Sequence, residues 1–389
     1  MKLRSRALPV LVLWLVVALS MIPAPVCASV TGDTDGDNIV SKAELTGQIL
    51  GYFDGSSHTS LSDLRSASHI YAYYPRTIVD STGDELILYK PIKRIIAYNS
   101  NCAEVIRSLG ATKEVIGIGT VVAEDDFFSE FGAVPAVGKW NSPDCERILA
   151  LDPDAVIVYG KWPEKGKLDD KLKGTGIEVI RLNLYVPENM TSDVQKLGVV
   201  LERESEAAEL IDFYQNYTDL IGERIGTLPE EERQTLYLEG YTDFKTVSAG
   251  SGGDQMCVMA GGINIASDLV GTYPKVDTEW VIAQNPDLVI KAASSSYDNT
   301  SEPDAILNGI VSRPGWADMD AVRNDRVHLL TSDIYTRPRY VVGVVYMAQW
   351  LYPDLFADLN PSGIHQEYLE RFQGMEVPDK IFVYPASEP

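Results

Sequence analysis

Two matching segments constrain this fold more than any other feature of the chain. Residues 146–157 read Glu-Arg-Ile-Leu-Ala-Leu-Asp-Pro-Asp-Ala-Val-Ile, and residues 279–290 read Glu-Trp-Val-Ile-Ala-Gln-Asn-Pro-Asp-Leu-Val-Ile, a constant 133 positions on (279 − 146). Glu, Ala, Pro, Asp, Val and Ile coincide without a gap. Each copy opens on an acidic residue suited to a helix N-terminus and continues as a short amphipathic helix. It then stops at an Asp/Asn-Pro turn and enters an apolar run of the buried-strand kind. One αβ unit therefore occurs twice. A period this long is too large for a solenoid and implies two like lobes.

Between the copies lies a helical stretch, residues 191–227. Its apolar positions Val194, Leu197, Leu201, Ala208, Ile211, Tyr214, Ile221 and Ile225 recur at threes and fours, the helical period. Pro187 and Pro229 bracket it, and Ser192 with Gln195 has the form of a capping box. Read as one uninterrupted helix it would be roughly 50 Å long at about 1.5 Å per residue, enough to run down the side of two domains. A long helix inside a single domain is the plainer reading. The repeat on either side favours a connector.

Around this frame the element order is βαβ. Residues 77–89 read as a hairpin turning at Thr82-Gly83, 93–98 as a strand, and Asn99 to Asn101 as a loop and N-cap. A helix over 102–109 ends at Gly110, and 115–118 is a strand. The later half repeats the order, with a strand at 235–239, a helix at 253–260 closed by Gly261-Gly262, and a late strand at 327–330. This order requires parallel sheets.

The first 28 residues are a separate matter. Lys2, Arg4 and Arg6 precede an apolar run from Ala7 to Ile22, and Val26-Cys-Ala28 offers a small-residue cleavage site, the pattern of an export signal. Retention as a membrane anchor and lipidation at Cys27 stay open. Cys102, Cys145 and Cys257 are an odd number beyond it, so a disulfide framework is not the basis of the fold. A net charge of −23 argues against nucleic acid and anionic lipid as partners, since both require a basic surface. Sequons occur at Asn189, Asn216 and Asn299, a weak signal by chance frequency.

Residues 33–44 place Asp33, Asp35 and Asp37 at loop positions 1, 3 and 5, Ser41 at 9 and Glu44 at 12. These are the calcium-ligand positions of an EF-hand loop, where hard oxygens surround the ion. Asn38 stands where Gly is usual at position 6, and Asn tolerates the left-handed backbone needed there. The segment resembles an EF-hand, or one half of a dockerin module without its second loop. A merely solvated acidic turn is the alternative. Residues 55–68 are Ser-rich and read as linker.

Residues 93–104 (Lys-Arg-Ile-Ile-Ala-Tyr-Asn-Ser-Asn-Cys-Ala-Glu), the Leu-Asp-Pro-Asp-Ala-Val-Ile turn at 151–157, Ala-Gly-Gly-Ile-Asn-Ile-Ala at 260–266 and Asp-Ala-Val-Arg-Asn-Asp-Arg-Val at 320–327 carry a resemblance. In order and spacing the chain from about 78 to about 372 resembles the substrate-binding proteins of ABC importers for siderophores, haem and cobalamin. The resemblance implies an α/β fold of two doubly wound, Rossmann-like lobes joined by a single long rigid helix. Residues 340–372 would be helices packing the second lobe. The expected division is 1–28 signal peptide, 29–54 EF-hand-like segment, 55–76 linker, 77–190 N-terminal lobe, 191–228 interlobe helix and 229–389 C-terminal lobe. The protein would be an exported monomer, on the extracellular face of the cytoplasmic membrane or in a periplasm-like space, delivering a ferric siderophore, corrinoid or haem to a permease and its ATPase subunits.

In such proteins the ligand lies between the lobes, held by loops at the carboxyl ends of the strands. The loops at those places contain Tyr98, Asn99, Asn101, Lys139, Trp140, Lys161, Trp162, Tyr241, Phe244, Tyr273, Tyr335, Arg337 and Arg339. Aromatic faces suit a large flat ligand, and arginine forks suit anionic oxygens. Some of these aromatics are expected in the core instead. By the resemblance, Trp140 and Tyr273 stand where cobalamin binders carry cleft aromatics, and Glu146 and Glu279 where acidic residues meet permease arginines. Favouring a helix N-terminus electrostatically is the plainer role for both glutamates.

Enzyme readings find no support. The chain has no G-x-S-x-G elbow and no G-x-x-x-x-G-K-[ST] loop, and His58, His69, His328 and His365 are scattered. Few histidines also argue against an importer of bare zinc or manganese. Gly250-Ser-Gly-Gly253 has the form of an anion cradle, though a plain turn before a helix explains it equally well. The other class is a calcium-dependent adhesion or scaffold-docking protein built on the acidic loop.

Overall fold

The computed structural model describes residues 30–385, so the export signal and Cys27 lie outside the described residues. The acidic loop leads into α1 (Lys42–Asp54), which Ser41 and Glu44 close with a capping box. Residues 55–76, expected as linker, instead contain a second helix, α2 (Leu61–Tyr73), capped by Ser60 and Asp63. Serine is weak inside a helix and strong at its N-cap, so the same composition that reads as flexible starts the helix. Leu64, Ala67 and Ile70 form its buried face. β1 (Arg76–Val79) and β2 (Glu85–Leu88) follow as the expected antiparallel hairpin, with Val79 opposite Glu85.

The first sheet is built from β3 (Ile95–Ala97), β4 (Val115–Ile118), β7 (Ala155–Val158) and β8 (Glu178–Arg181), in the order β4-β3-β7-β8 with every pair parallel. Helix α3 (Ser100–Ser108) follows β3. A small hairpin, β5 (Gly138–Lys139) and β6 (Ser142–Pro143), precedes α4 (Cys145–Leu151). All residues of β3 and β7 are buried, as parallel strands covered on both faces require.

The expected single helix is two helices. α5 (Pro187–Leu201) starts with Pro187 at its first turn, ahead of the expected capping box, and stops at Glu202, which is left-handed (φ 56°, ψ 47°). α6 (Glu204–Ile225) then begins a new direction. Gly198 makes the corner possible, since a Cβ there would lie 2.6 Å from Ala207 Cβ. The apolar phase slips at the break, so α6 buries Ala207, Leu210, Phe213 and Tyr214 while Ala208 is exposed. Glu202 leaves helical geometry to serve as an anchor, accepting from His69 Nε2 (2.5 Å), Lys93 Nζ (2.7 Å) and Tyr74 OH (3.0 Å).

The second sheet comprises β9 (Thr235–Glu239), β10 (Ile263–Asn264), β11 (Leu288–Ala293), β12 (Val327–Thr331) and β13 (Val383–Tyr384), in the order β10-β9-β11-β12-β13; only β13 runs antiparallel. α7 (Gly252–Met259) lies between β9 and β10, and α8 (Thr278–Gln284) before β11. The sequence repeat is a structural joint used once in each sheet. α4 and α8 end on left-handed Asp152 (φ 47°) and Asn285 (φ 44°). The aspartate after each proline then clamps the neighbouring strand: Asp154 Oδ2 accepts from Lys93 N (2.9 Å) and Arg94 N (3.0 Å), and Asp287 Oδ2 from Thr235 N (2.8 Å).

α9 (Tyr340–Leu351) and α10 (Pro361–Tyr368) are the expected C-terminal helices. They pack against α6 through the Tyr214–Tyr340 and Phe213–Tyr368 ring pairs. α10 and the turn after it also clasp α3: Tyr368 OH donates to Glu104 Oε1 (3.0 Å) and Arg107 Nε to Gln373 Oε1 (2.7 Å). Among the described residues no helix is long and apolar enough to cross a membrane.

Candidate ligand-binding cleft

Both sheets point their carboxyl ends at one place. The chain leaving β3 becomes Asn99 and the first turn of α3, whose N-terminal amides carry partial positive charge. The chain leaving β7 becomes Tyr159, Lys161 and Trp162; that leaving β12 becomes Ser332 to Arg337. Between these ends is a cavity of about 450 Å³ lined by Ser100, Asn101, Val121, Trp140, Tyr159, Trp162, Tyr185, Ser332, Thr336 and Arg337. A second cavity of about 240 Å³ adjoins it, sharing Tyr185 and Thr336, and reaches Tyr241, Lys245, Gly252, Gly253, Tyr273 and Tyr335.

The walls are edge-to-face aromatic pairs. Trp140 and Trp162 have centroids 5.4 Å apart at 82°, Tyr159 and Tyr185 5.1 Å at 85°, and Tyr241 and Tyr335 6.3 Å at 77°. Trp140 is 45% and Trp162 39% exposed, an uncommon state for indoles unless something else covers them. Burial raises the Tyr159 and Tyr185 hydroxyls, so both remain protonated donors at neutral pH.

The polar groups are few and directed. Ser100 is buried, and its hydroxyl has no partner among the described residues, beside Asn101 at the start of α3. Arg337 Nη1 donates to Asp125 Oδ2 (3.1 Å). Burial works against its charge, but the carboxylates of Glu104, Asp333 and Asp125 outweigh that and hold the guanidinium protonated. The arrangement is a box with aromatic walls, helix-end donors and one half-neutralised cation. It can hold a ligand; it offers no nucleophile hydrogen-bonded to a base.

Of the expected ligand residues, Asn101, Trp140, Trp162 and Arg337 line the larger cavity and Tyr241, Tyr273 and Tyr335 the smaller. The others lie elsewhere. Tyr98 is buried with its hydroxyl on Lys139 O (2.7 Å), and Asn99 is the α3 N-cap, accepting from Cys102 N (3.0 Å). Phe244 packs against Trp316 under the Arg313 guanidinium. Arg339 is buried over the Phe127 ring with Nε 3.3 Å from Glu104 Oε1. Lys139 and Lys161 are exposed and line neither cavity. Tyr159 and Tyr185 were missed, although Tyr159 directly follows β7 and the strand-end rule would have found it. Glu146 and Glu279 are both exposed in the first turns of α4 and α8.

In the acidic loop, oxygens of Asp33, Asp35 and Asp37 lie within 4.8 Å of one another, and Asn38 is left-handed (φ 69°). Ser41 and Glu44 cap α1, and Glu44 Oε1 also accepts from Thr34 N (2.6 Å). Backbone hydrogen bonds from Thr34 and Ser41 push the Glu44 carboxyl down to about 2.

A family profile described as "Periplasmic binding protein" matches residues 95–334, most of both sheets and the cleft between them. The chain belongs to the periplasmic binding protein family. Among its relatives is the uncharacterized ABC transporter substrate-binding lipoprotein YvrC of Bacillus subtilis, 24% identical over 73% of this chain and 88% of that protein. The molybdate-binding protein MolA of Haemophilus influenzae is 22% identical over 79% and 94%, and a vitamin B12-binding protein of Vibrio parahaemolyticus 23% over 64% and 85%. The fold is shared with the TroA-like periplasmic binding protein FepB from Veillonella parvula, at a TM-score of 0.68, 22% identity, and 79% and 99% coverage. Members of this family are substrate-binding proteins of ABC importers, which bind and do not catalyse.

Proposed function

We propose that this periplasmic binding protein is the exported capture component of an ABC importer, taking a large, flat metal chelate into the cleft between two α/β lobes and passing it to a permease with its ATPase. The observation that carries the reading is the aromatic box itself, with Trp140, Trp162, Tyr159 and Tyr185 walling a cavity at the strand ends. A corrinoid or haem is favoured over a ferric siderophore. A siderophore, the more frequent cargo in the resembled proteins, would have been helped by two arginine forks for its anionic oxygens, but Arg339 is interior and Arg337 already faces Asp125. Extended aromatic walls suit a macrocycle. The relatives that bind vitamin B12 and molybdate support a metal-related cargo.

The lobe boundaries proposed are 77–190 and 229–389, with the α5–α6 pair in place of a single connecting helix. Glu146 and Glu279, one per joint, are proposed to meet permease arginines, and export is proposed from residues 1–28. The acidic loop is proposed as a calcium site: Asp33, Asp35 and Asp37 would hold the ion, with Ser41 and Glu44 the further oxygens such a loop supplies. Hard carboxylate oxygens already drawn together support it.

A thermal-shift panel of cyanocobalamin, haemin and ferric siderophores tests the cargo. A ligand at 100 times its dissociation constant adds about 2.7 kcal/mol, a visible shift for a protein of this size. A panel in which no chelate moves the transition would overturn the reading.

A further inference from the structure

The smaller cavity differs from the larger in chemistry. It opens on the N-terminus of α7, where the backbone amides of Gly252 and Gly253 have no acceptor among the described residues. Tyr335 lies directly over this helix end: a Cβ on Gly253 would sit 2.2 Å from its hydroxyl. Tyr335 is only 4% exposed, lines the cavity, and its hydroxyl has no hydrogen-bond partner among the described residues. The ring is buried while the hydroxyl opens on the cavity, where it is free to donate to a bound group.

The local charges agree. Lys245 is the only charged side chain lining this cavity among the described residues; its ammonium stands 5.8 Å from the Tyr273 ring centre and in no ion pair. Three nearby carboxylates are engaged elsewhere: Glu188 accepts from Gln255 Nε2 (3.0 Å) beside the start of α7. Asp254, in the first turn of α7, accepts from Asn264 Nδ2 (2.8 Å) and Ser267 Oγ. Asp243 is paired with Lys291 and Arg313. What remains open to the cavity includes the Gly252 and Gly253 amides, the Tyr335 hydroxyl and the Lys245 ammonium, all able to donate, beside the Tyr241–Thr336 hydroxyl pair. Burial, with Cys257, Tyr241 and Tyr273 adding to it, raises the Tyr335 hydroxyl, so it stays a donor at neutral pH.

We propose that the α7 end of the cleft is an oxyanion subsite, in which the Gly252 and Gly253 amides, the Tyr335 hydroxyl and the Lys245 ammonium hold a tetrahedral oxyanion, either free or as a phosphate group on the cargo. The glycine loop thus acts as a cradle, with Gly253 required because any side chain would displace Tyr335. This rests on the cleft being the place of capture and adds what the cargo carries: an anionic group one cavity away from its flat part.

Calorimetry with inorganic phosphate, with molybdate, and with cyanocobalamin against cobinamide, the corrinoid without the nucleotide phosphate, tests it. Tyr335→Phe removes only the hydroxyl and Lys245→Gln only the charge, the latter at an exposed position where folding is not at stake. A free-ion site predicts phosphate or molybdate binding that each variant weakens about tenfold. A cargo-borne phosphate predicts tighter binding of cyanocobalamin than of cobinamide, with both variants removing the difference. The proposal is overturned if neither ion binds and the two corrinoids are held alike, or if the variants bind every probe as the wild type does. The two readings fail separately. Chelates bound with no sensitivity to Tyr335 or Lys245 leave the cargo assignment standing, whereas oxyanions bound with no chelate affinity leave only the subsite.

Discussion

Replacing Glu202 tests whether the corner between α5 and α6 is held as described. Its side chain is 15% exposed, and it accepts from Tyr74, whose own side chain is buried. A hydrogen bond of that kind to a carboxylate contributes about 1.5–3 kcal/mol. His69 and Lys93 are 40% and 51% exposed, so each adds about 0–1 kcal/mol. Glu202→Ala should therefore cost about 1.5–5 kcal/mol. Glu202→Gly loses the same contacts but relieves the left-handed backbone, so it should cost about 1 kcal/mol less than the alanine. Urea unfolding gives the totals, and hydrogen exchange at α2 amides should show the loss concentrated there, because His69 and Tyr74 fasten that helix. Partial burial would raise the Glu202 carboxyl, but the hydrogen bonds from Lys93, His69 and Tyr74 outweigh it and push it down to about 2 from its ordinary 4.5. With the folded value depressed, the stabilisation is complete above about 4.5 and disappears as the pH falls toward about 2. Alanine as stable as glycine would refute the left-handed corner; unchanged α2 protection in both would refute the anchor.

Gly343→Ala puts a Cβ 2.2 Å from Ile334 O and should cost about 1–3 kcal/mol by overpacking, read as a lower Tm. An unchanged Tm would mean that α9 is free to move. Trp140→Ala and Trp162→Ala should each weaken chelate binding about tenfold, and unchanged affinity in both would remove that wall from the site. Calcium titration should give roughly 10⁻⁴ to 10⁻³ M affinity in the wild type and a loss in Glu44→Gln; equal heats would leave the loop a capped acidic turn. Glu146→Arg with Glu279→Arg should spare chelate binding but abolish transport through the cognate permease, beyond either change alone. Full transport by the double variant would leave these glutamates only their helix-terminus role.

What the sequence disclosed and what it concealed divide along the range of the interactions involved. The joints at 146–157 and 279–290 were readable because their parts are neighbours in the chain: a short helix, a left-handed Asp152 or Asn285, a proline, and an aspartate clamping the next strand over. The break at Glu202 was not. The apolar positions resume at threes and fours on both sides of it, with only a one-residue slip at the break, and the groups that hold Glu202 out of helical geometry, His69, Tyr74 and Lys93, come from distant parts of the chain. The same distinction decides the two arginines. Arg337 and Arg339 stand two positions apart in one loop and look equivalent, yet one faces the cavity and the other is drawn inward by Glu104 on α3. No local pattern carries that choice. It depends on the C-terminal segment crossing back to clasp α3, with the Thr336–Arg337 loop set against Asn101 and Asp125. The cleft is therefore a property of that crossing, and variants that loosen the Tyr368–Glu104 contact should disturb ligand affinity without touching a residue that lines the cleft.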